Sequence, residues 1–238
     1  RASTTYKHNA MNGLSKAHCN IIEQGQWFSK RDAHLKQFLL SHAKTLSLSA
    51  HQSLFLRGDK HDGIYAVLSG VVRISGVSNN GKEAVLSFVD ASLWFGEVTL
   101  FDRGMRTHDV YAQTDVTLCF IGQRALEQLL KQYPHYWQDF GLLLAQKLRV
   151  MFTSMEDHAL LSAEQRVAKR LLILCAHLAH SNGHTFTLSQ QQLADMTYLT
   201  RQTANQILKK LAKQQLIEVG YNKVTILNQS ALELLCNQ

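Results

Sequence analysis

The stretch LSQQQLADMTYLTRQTANQILKKLAKQ, Leu188 to Gln214, reads as two short helices with a tight connection. Ser189 followed by Gln192 has the spacing of a capping box, and Thr200 offers a second N-cap, so helices are predicted to start near residues 190 and 201. In the second helix Ala204, Ile207, Leu208 and Leu211 fall at i, i+3, i+4 and i+7, which gathers them on one buried face. The opposite face carries Arg201, Gln202, Asn205 and Gln206, then Lys209, Lys210 and Lys213. Side chains suited to base edges come first and phosphate-seeking ones follow, which is the layout of a helix-turn-helix recognition helix. An ordinary amphipathic surface helix would carry the same Gln, Asn and Lys, so the rest of the chain must decide.

Outward from that stretch, composition sets bounds. The 238 residues suffice for two compact domains, and 45% apolar with 18% charged residues is ordinary for a folded chain. A formal charge of +7 with pI near 9.3 points to a polyanionic partner, nucleic acid or a membrane surface. From residue 163 onward eight Lys or Arg face four acids, so the excess is concentrated in the last third. Cys19, Cys119, Cys175 and Cys236 show no CxxC pair, which suggests free thiols in a reducing compartment, by default the cytoplasm. No apolar run is long enough to span a bilayer, so no membrane partner is expected. The chain opens with Arg, and residues 1 to about 12 are expected to lie outside the fold.

Upstream, a helix is predicted over roughly Lys30 to Ala43, with Leu35, Phe38, Leu39 and His42 on one side. From Thr45 to Ile121 the period becomes two, in short runs such as Ile64–Leu68, Val71–Ile74, Ala84–Phe88 and Thr117–Ile121. Glycines punctuate them, and Asn79-Asn80-Gly81 is a hairpin signal, so a small antiparallel barrel or sandwich is predicted. Gln123 begins a helix, Pro134 resets it, and a long helix runs from about His135 to Leu161. Along it Trp137, Gly141, Leu144, Leu148, Met151, Met155 and His158 follow coiled-coil spacing, with Phe140, Leu143 and Val150 on an adjacent face. One face can cover the barrel while the seam meets a second copy; the alternative is a single-chain core helix. Ser162 or Ala163 marks a hinge, Val167, Leu171, Leu174, Cys175 and Leu178 the next helix, Thr185–Thr187 a strand, and 216–226 a two-stranded wing about Gly220-Tyr221-Asn222. Cys175, His177, His180 and His184 are spaced as metal ligands could be, but Cys175 belongs to the apolar stripe and no metal site is assigned. Nor does the chain assemble a nucleophile, base and orienting group, so no enzyme is expected.

The runs GIYAVLSGVVRI at 63–74, NGKEAVLSF at 80–88 and WFGEVTLFDRGMRTHDV at 94–110, with the terminal winged helix, resemble the CRP/FNR family of bacterial transcription regulators. The resemblance covers nearly everything from residue 45 to 227. It implies an α+β chain with an N-terminal antiparallel β-barrel of jelly-roll, cyclic-nucleotide-binding type, a long dimerisation helix and a C-terminal winged helix-turn-helix. The divisions expected are 1–28 extension, 29–134 sensor domain, 135–162 dimerisation helix and hinge, and 163–238 DNA-binding domain. The effector site implied is Gly96, Glu97, Val98, Arg106, Thr107 and His108, with Arg106 and Thr107 on a phosphate and Glu97 accepting from a ribose hydroxyl. Alternatively Glu97 and Arg106 pair with each other inside the barrel. His108, and Met151 and Phe152 where the cyclic-AMP-responsive members contact adenine through hydroxyls, depart from the family pattern.

The implied effector is a cyclic nucleotide, cyclic AMP or a related one; an iron–sulfur cluster is excluded, since only Cys19 lies in the first hundred residues. The implied DNA-binding residues are Ser189, Thr200, Arg201, Gln202, Thr203, Asn205, Gln206 and Lys209, on a pseudo-palindromic operator. Arg201 matches the family arginine aimed at guanine, whereas Gln202 and Gln206 replace a glutamate and an arginine, so the operator should differ. Trp137, Leu144, Leu148, Met151 and Met155 would hold a homodimer, and RNA polymerase is an implied partner. Two rival readings remain: a barrel that takes no cyclic nucleotide or another effector, and a nucleotide-responsive module acting on a protein partner.

Overall fold

The computed structural model describes residues 11–60, 62–78, 83–178 and 184–236. They form two compact units, dividing between Leu148 and Arg149. The first unit opens with β1 (Met11–Asn12), α1 (Lys16–Glu23), α2 (Gln26–Ser29) and α3 (Ala33–Ser41). Then come β2 (Ala43–Leu48), β3 (Ser53–Phe55), β4 (Gly63–Ser69), β5 (Val72–Val77), β6 (Glu83–Val89), β7 (Trp94–Phe95), α4 (Val98–Asp102), β8 (Asp109–Ala112) and β9 (Val116–Gly122). Helix α5 (Gln123–Gln132), a 3-10 turn (Pro134–Tyr136) and the long α6 (Trp137–Leu160) follow, Pro134 standing where its missing N–H costs nothing.

All strand pairs among the described residues are antiparallel. One sheet has the order β1-β2-β9-β4-β7 and the other β3-β8-β5-β6, so the two make the roll that the alternating runs predict. Strand β4 explains how the layers stack. Its residues from Gly63 to Leu68 are all buried, because Ile64, Ala66 and Leu68 face the helices while Tyr65 and Val67 face the roll interior. A strand covered on both faces loses the polar half of its alternation. The helix-side core takes Leu35 and Leu39 from α3, Leu126 from α5, and Phe140 and Leu143 from α6.

The N-terminal expectations need correction. Met11 and Asn12 pair with Thr45 and Lys44 rather than standing outside the fold. Within the expected extension, Ile22, Trp27 and Phe28 are core residues, Trp27 and Phe28 packing on Trp94. The α3 helix starts later than predicted because the Asp32 carboxylate caps it, accepting from the Leu35 amide at 2.8 Å. Ala43 belongs to β2, and His42 is exposed, stacked on Phe38. The hairpin signal at 79–81 lies outside the described residues.

The second unit continues α6 into α7 (Ala163–Leu178), β10 (Thr185–Thr187), α8 (Gln190–Thr197), α9 (Arg201–Lys213), β11 (Ile217–Gly220), β12 (Lys223–Ile226) and α10 (Gln229–Cys236). Its sheet has three strands, β10-β12-β11, because the strand before the helix pair joins the wing. Ala204, Leu208 and Leu211 are fully buried and Ile207 partly, on a core with Val167, Leu171 and Cys175 of α7 and Leu232 of α10. The first helix of the pair carries the predicted capping box, Ser189 and Gln192 each bonding the other's backbone N–H.

Candidate effector pocket and nucleic-acid interface

Arg106, between α4 and β8, has a side chain only 2% exposed. It lies over the rings of Phe55 at 4.1 Å and Tyr65 at 5.6 Å. A guanidinium so placed must find acceptors, since an unpaired buried charge is costly. Nη1 donates to the Gly96 carbonyl at 3.1 Å and the Thr99 hydroxyl at 3.4 Å. Nη2 donates to the Gly63 carbonyl at 2.8 Å and to Asp62 Oδ1 at 2.5 Å. Glycine is required at both carbonyl positions. Gly63 (φ 153°) and Gly96 (φ 92°) lie at positive φ, and a Cβ on Gly96 would stand 3.0 Å from Arg106 Nη1. Tyr65 donates its hydroxyl to Asp62 Oδ2 at 2.5 Å. Burial, and the Asp62 carboxylate beside it, hold that hydroxyl well above the usual tyrosine range, so it remains a donor.

Glu97 is 1% exposed and pairs with Lys147 of α6, Nζ to Oε2 at 2.6 Å. Burial draws the Lys147 ammonium below the usual lysine range, against the pull of Glu97. Glu97 and Arg106 therefore do not neutralise each other; each has its own partner, Lys147 and Asp62. Of the other predicted effector residues, Val98 is 41% exposed. Thr107 is exposed, with its hydroxyl 2.9 Å from His108 Nδ1. His108 is half-buried, and burial together with nearby Arg57 lowers its pKa from the usual histidine value. Arg57 ties this edge together, donating from Nε to the Thr107 carbonyl and from its backbone N–H to Asp109.

On the second unit, Arg201, Gln202, Gln206 and Lys209 are exposed along one face of α9. Thr200 caps the helix, its hydroxyl accepting from the Thr203 amide at 3.1 Å and lying 2.8 Å from the Thr203 hydroxyl. Asn205 accepts from Gln190 at 3.1 Å, which braces α9 against α8. A groove of about 400 Å³ between the start of α9 and the wing is lined by Ser189, Gln190, Arg201, Tyr221 and Asn222. Tyr221, at the wing tip, is 97% exposed.

The eight cations of this region divide into two sets. Arg166 and Arg170 donate to the Thr197 and Met196 carbonyls at the C-terminal end of α8. Lys169 pairs with Asp157 and Lys210 with Glu164. Arg201, Lys209, Lys213 and Lys223 are exposed, on α9 and the wing. The charge count alone could not separate cations already bonded within the protein from those left for a partner.

On α6, Trp137 (38%), Leu148 (48%), Met151 (60%), Phe152 (61%) and Met155 (65%) are exposed, while Leu144 is half-buried. Val150, expected beside Phe140 and Leu143, is 66% exposed instead of buried with them. Cys175 Sγ lies 3.5 Å from His184 Nδ1. Among the described residues no group of three or more potential ligands could hold a metal; His180 lies outside them.

Comparison with known proteins agrees with this architecture. The family described as Cyclic nucleotide-binding domain matches residues 45–133, and the Crp-like helix-turn-helix domain matches residues 165–235. The cAMP-activated global transcriptional regulator CRP of Haemophilus influenzae is 28% identical over 202 residues, covering 83% of this chain and 90% of its own. A CRP-like cAMP-activated global transcriptional regulator of Mycobacterium tuberculosis is 28% identical over 184 residues, 76% of this chain and 82% of its own. A CRP/FNR family transcriptional regulator from Thermus thermophilus superposes with a TM-score of 0.67 at 26% identity, covering 82% and 98%. The c-di-GMP responsive global regulator CLP of Xanthomonas campestris shares the fold, with a TM-score of 0.69 at 24% identity over 82% and 99%. A cyclic-nucleotide-binding roll followed by a winged helix-turn-helix defines a DNA-binding transcription regulator. The chain belongs to the CRP/FNR family. Its relatives are regulators rather than enzymes, and among the described residues no helix is long and apolar enough to cross a membrane.

Proposed function

We propose that this chain acts as a cytoplasmic homodimer whose roll takes a cyclic nucleotide, cyclic AMP or a close relative, and thereby controls how two α9 helices meet a pseudo-palindromic operator near RNA polymerase. The observation that carries this reading is the division of α9. Ala204, Leu208 and Leu211 are spent on the core, while Arg201, Gln202, Gln206 and Lys209 face solvent.

The effector half rests on Arg106, a buried guanidinium framed by two glycines as a phosphate site needs, and on Glu97 as acceptor for a ribose hydroxyl. Glu97 is bonded to α6 through Lys147, so a ligand that draws on Glu97 also acts on that helix. The exposed apolar side chains of Leu148, Met151 and Met155, at heptad spacing, support a second copy as partner. The relatives named for activation by cAMP support the choice of nucleotide. Arg201 would read guanine, and Gln202 and Gln206 favour adenine edges.

Two measurements test the proposal. Calorimetric titration with cyclic AMP and cyclic GMP should give saturable heat for at least one, and that nucleotide should tighten binding to a selected duplex; no heat for either refutes the effector assignment. Sedimentation equilibrium should give a dimer mass, and Met151→Asp with Met155→Asp should give a monomer of unchanged helicity. A wild-type monomer refutes the seam.

A further inference from the structure

Taking the reading of Arg106 as a phosphate ligand as its basis, we infer that Asp62 is an internal competitor for that arginine, a carboxylate latch that an incoming phosphate must displace. Three features of the contact lead there. First, exposure is lopsided: the Arg106 side chain is 2% exposed and that of Asp62 53%. The arginine needs an anion wherever the carboxylate goes, whereas Asp62 can return to water with little loss. An arriving phosphate therefore replaces a charge that is already balanced and adds no new uncompensated one.

Second, Asp62 uses the arginine incompletely. Its Oδ1 meets only Nη2, while Oδ2 is held by the Tyr65 hydroxyl. The Arg106 Nε is buried and has no hydrogen-bond partner among the described residues. Nε and Nη2 share one edge of the guanidinium, the edge that binds two oxygens of a phosphate in a fork. Nη1, on the far side, is taken by Gly96 and Thr99. With one Nη2 hydrogen given to the Gly63 carbonyl, Asp62 takes the other, and a two-oxygen ligand that replaces the carboxylate can fill Nε as well.

Third, the remaining hold on Arg106 does not depend on Asp62. The Gly63 and Gly96 carbonyls, the Phe55 and Tyr65 rings, and backbone bonds between Arg106 and the Gly58–Asp59 loop keep the side chain and its strand end in place. Removing the Asp62 charge should free the edge without unseating the arginine. The consequence is a site whose affinity is set below what its arginine could deliver, so that it responds at higher effector concentration.

The test compares the full-length wild type with Asp62→Asn, Arg106→Lys and the double variant, each first checked for an unchanged circular dichroism spectrum. Asn keeps an acceptor for Arg106 while removing the competing charge. With cyclic AMP in the calorimeter, Asp62→Asn should bind at least about tenfold more tightly than wild type, the scale of one charge-assisted hydrogen bond. The double variant should lose that gain. Equal or weaker binding by a folded Asp62→Asn overturns the latch. Inorganic phosphate, followed by thermal shift, separates the latch from the nucleotide assignment. Phosphate should raise the Tm of Asp62→Asn more than that of wild type, and not that of the double variant. If cyclic AMP binds no variant while phosphate keeps this order, the nucleotide assignment fails and the latch stands. If phosphate leaves all alike as well, the latch fails too.

Discussion

Replacing Lys147 by Met should destabilise the first unit by more than its surface position suggests, because the two ends of the Lys147–Glu97 pair are unequally buried. Glu97 is 1% exposed and Lys147 37%. Removing the lysine strands a carboxylate in the interior. Breaking a fully buried pair costs ~3–5 kcal/mol; Lys147 reaches solvent in part, so screening lowers the expected cost to ~2 kcal/mol. Glu97→Gln instead leaves a lysine that can turn to water, and should cost ~1 kcal/mol. The double variant should accordingly resemble Glu97→Gln alone, not the sum of the two. The assay is urea unfolding followed by tryptophan fluorescence, since all three tryptophans, Trp27, Trp94 and Trp137, lie in the first unit. Lys147→Met within ~0.5 kcal/mol of wild type, or strictly additive single and double variants, would refute the reasoning.

Two further outcomes concern the first unit. The Asp32 carboxyl is held below its usual range, chiefly by the Leu35 amide it caps, with a smaller contribution from the Tyr136 hydroxyl. A lowered folded-state pKa contributes stability above the unfolded value of 3.8 that is lost as pH falls through the folded one. Asp32→Asn, which keeps the cap, should therefore be less stable than wild type at pH 6 and converge with it below pH 3.8, as acid titrations of the melting temperature would show; a gap that persists in acid contradicts this. Burial pushes the Cys119 thiol up to about 12, and the residue is fully enclosed, whereas Cys19 is half-buried. Native-state alkylation read by mass spectrometry should label Cys19 well before Cys119; the reverse order would mean that the helix-side core opens readily.

What was legible in the sequence was local. The capping box at Ser189, the cap at Thr200 and the buried face of α9 depend on residues three and four apart, and they fold as read. The longer strands of the roll were visible by alternation, or, in β4, by an uninterrupted apolar run. Trp94–Phe95 and Asp109–Ala112 were too short to show a period, and α2, four residues long, has no periodicity to read despite burying Trp27 and Phe28. The candidate effector residues were found through family resemblance, but their partners were not. Asp62 lies 44 residues from Arg106, and Lys147 50 residues from Glu97, separations at which no spacing rule operates. A buried arginine must be matched by an anion, which points to an acid beside a strand such as β4. The same reasoning applies to Arg166 and Arg170, which counted toward a basic surface but serve the carbonyls at the end of α8.

The most direct test of the account is the affinity for a pseudo-palindromic duplex selected from a random pool, measured against salt for wild type and Arg201→Ala. Of the exposed lysines of α9 and the wing, Lys210 is already paired with Glu164, which leaves Lys209, Lys213 and Lys223. With one phosphate each in a dimer, log K should fall with log salt at a slope of about −5. Arg201→Ala should weaken binding by ~1–3 kcal/mol, relax the preference at one base pair in each half-site, and leave the salt slope nearly unchanged. A flat salt dependence, or an Arg201→Ala protein that binds with wild-type affinity and preference, would contradict the assignment of α9 as the surface that reads DNA.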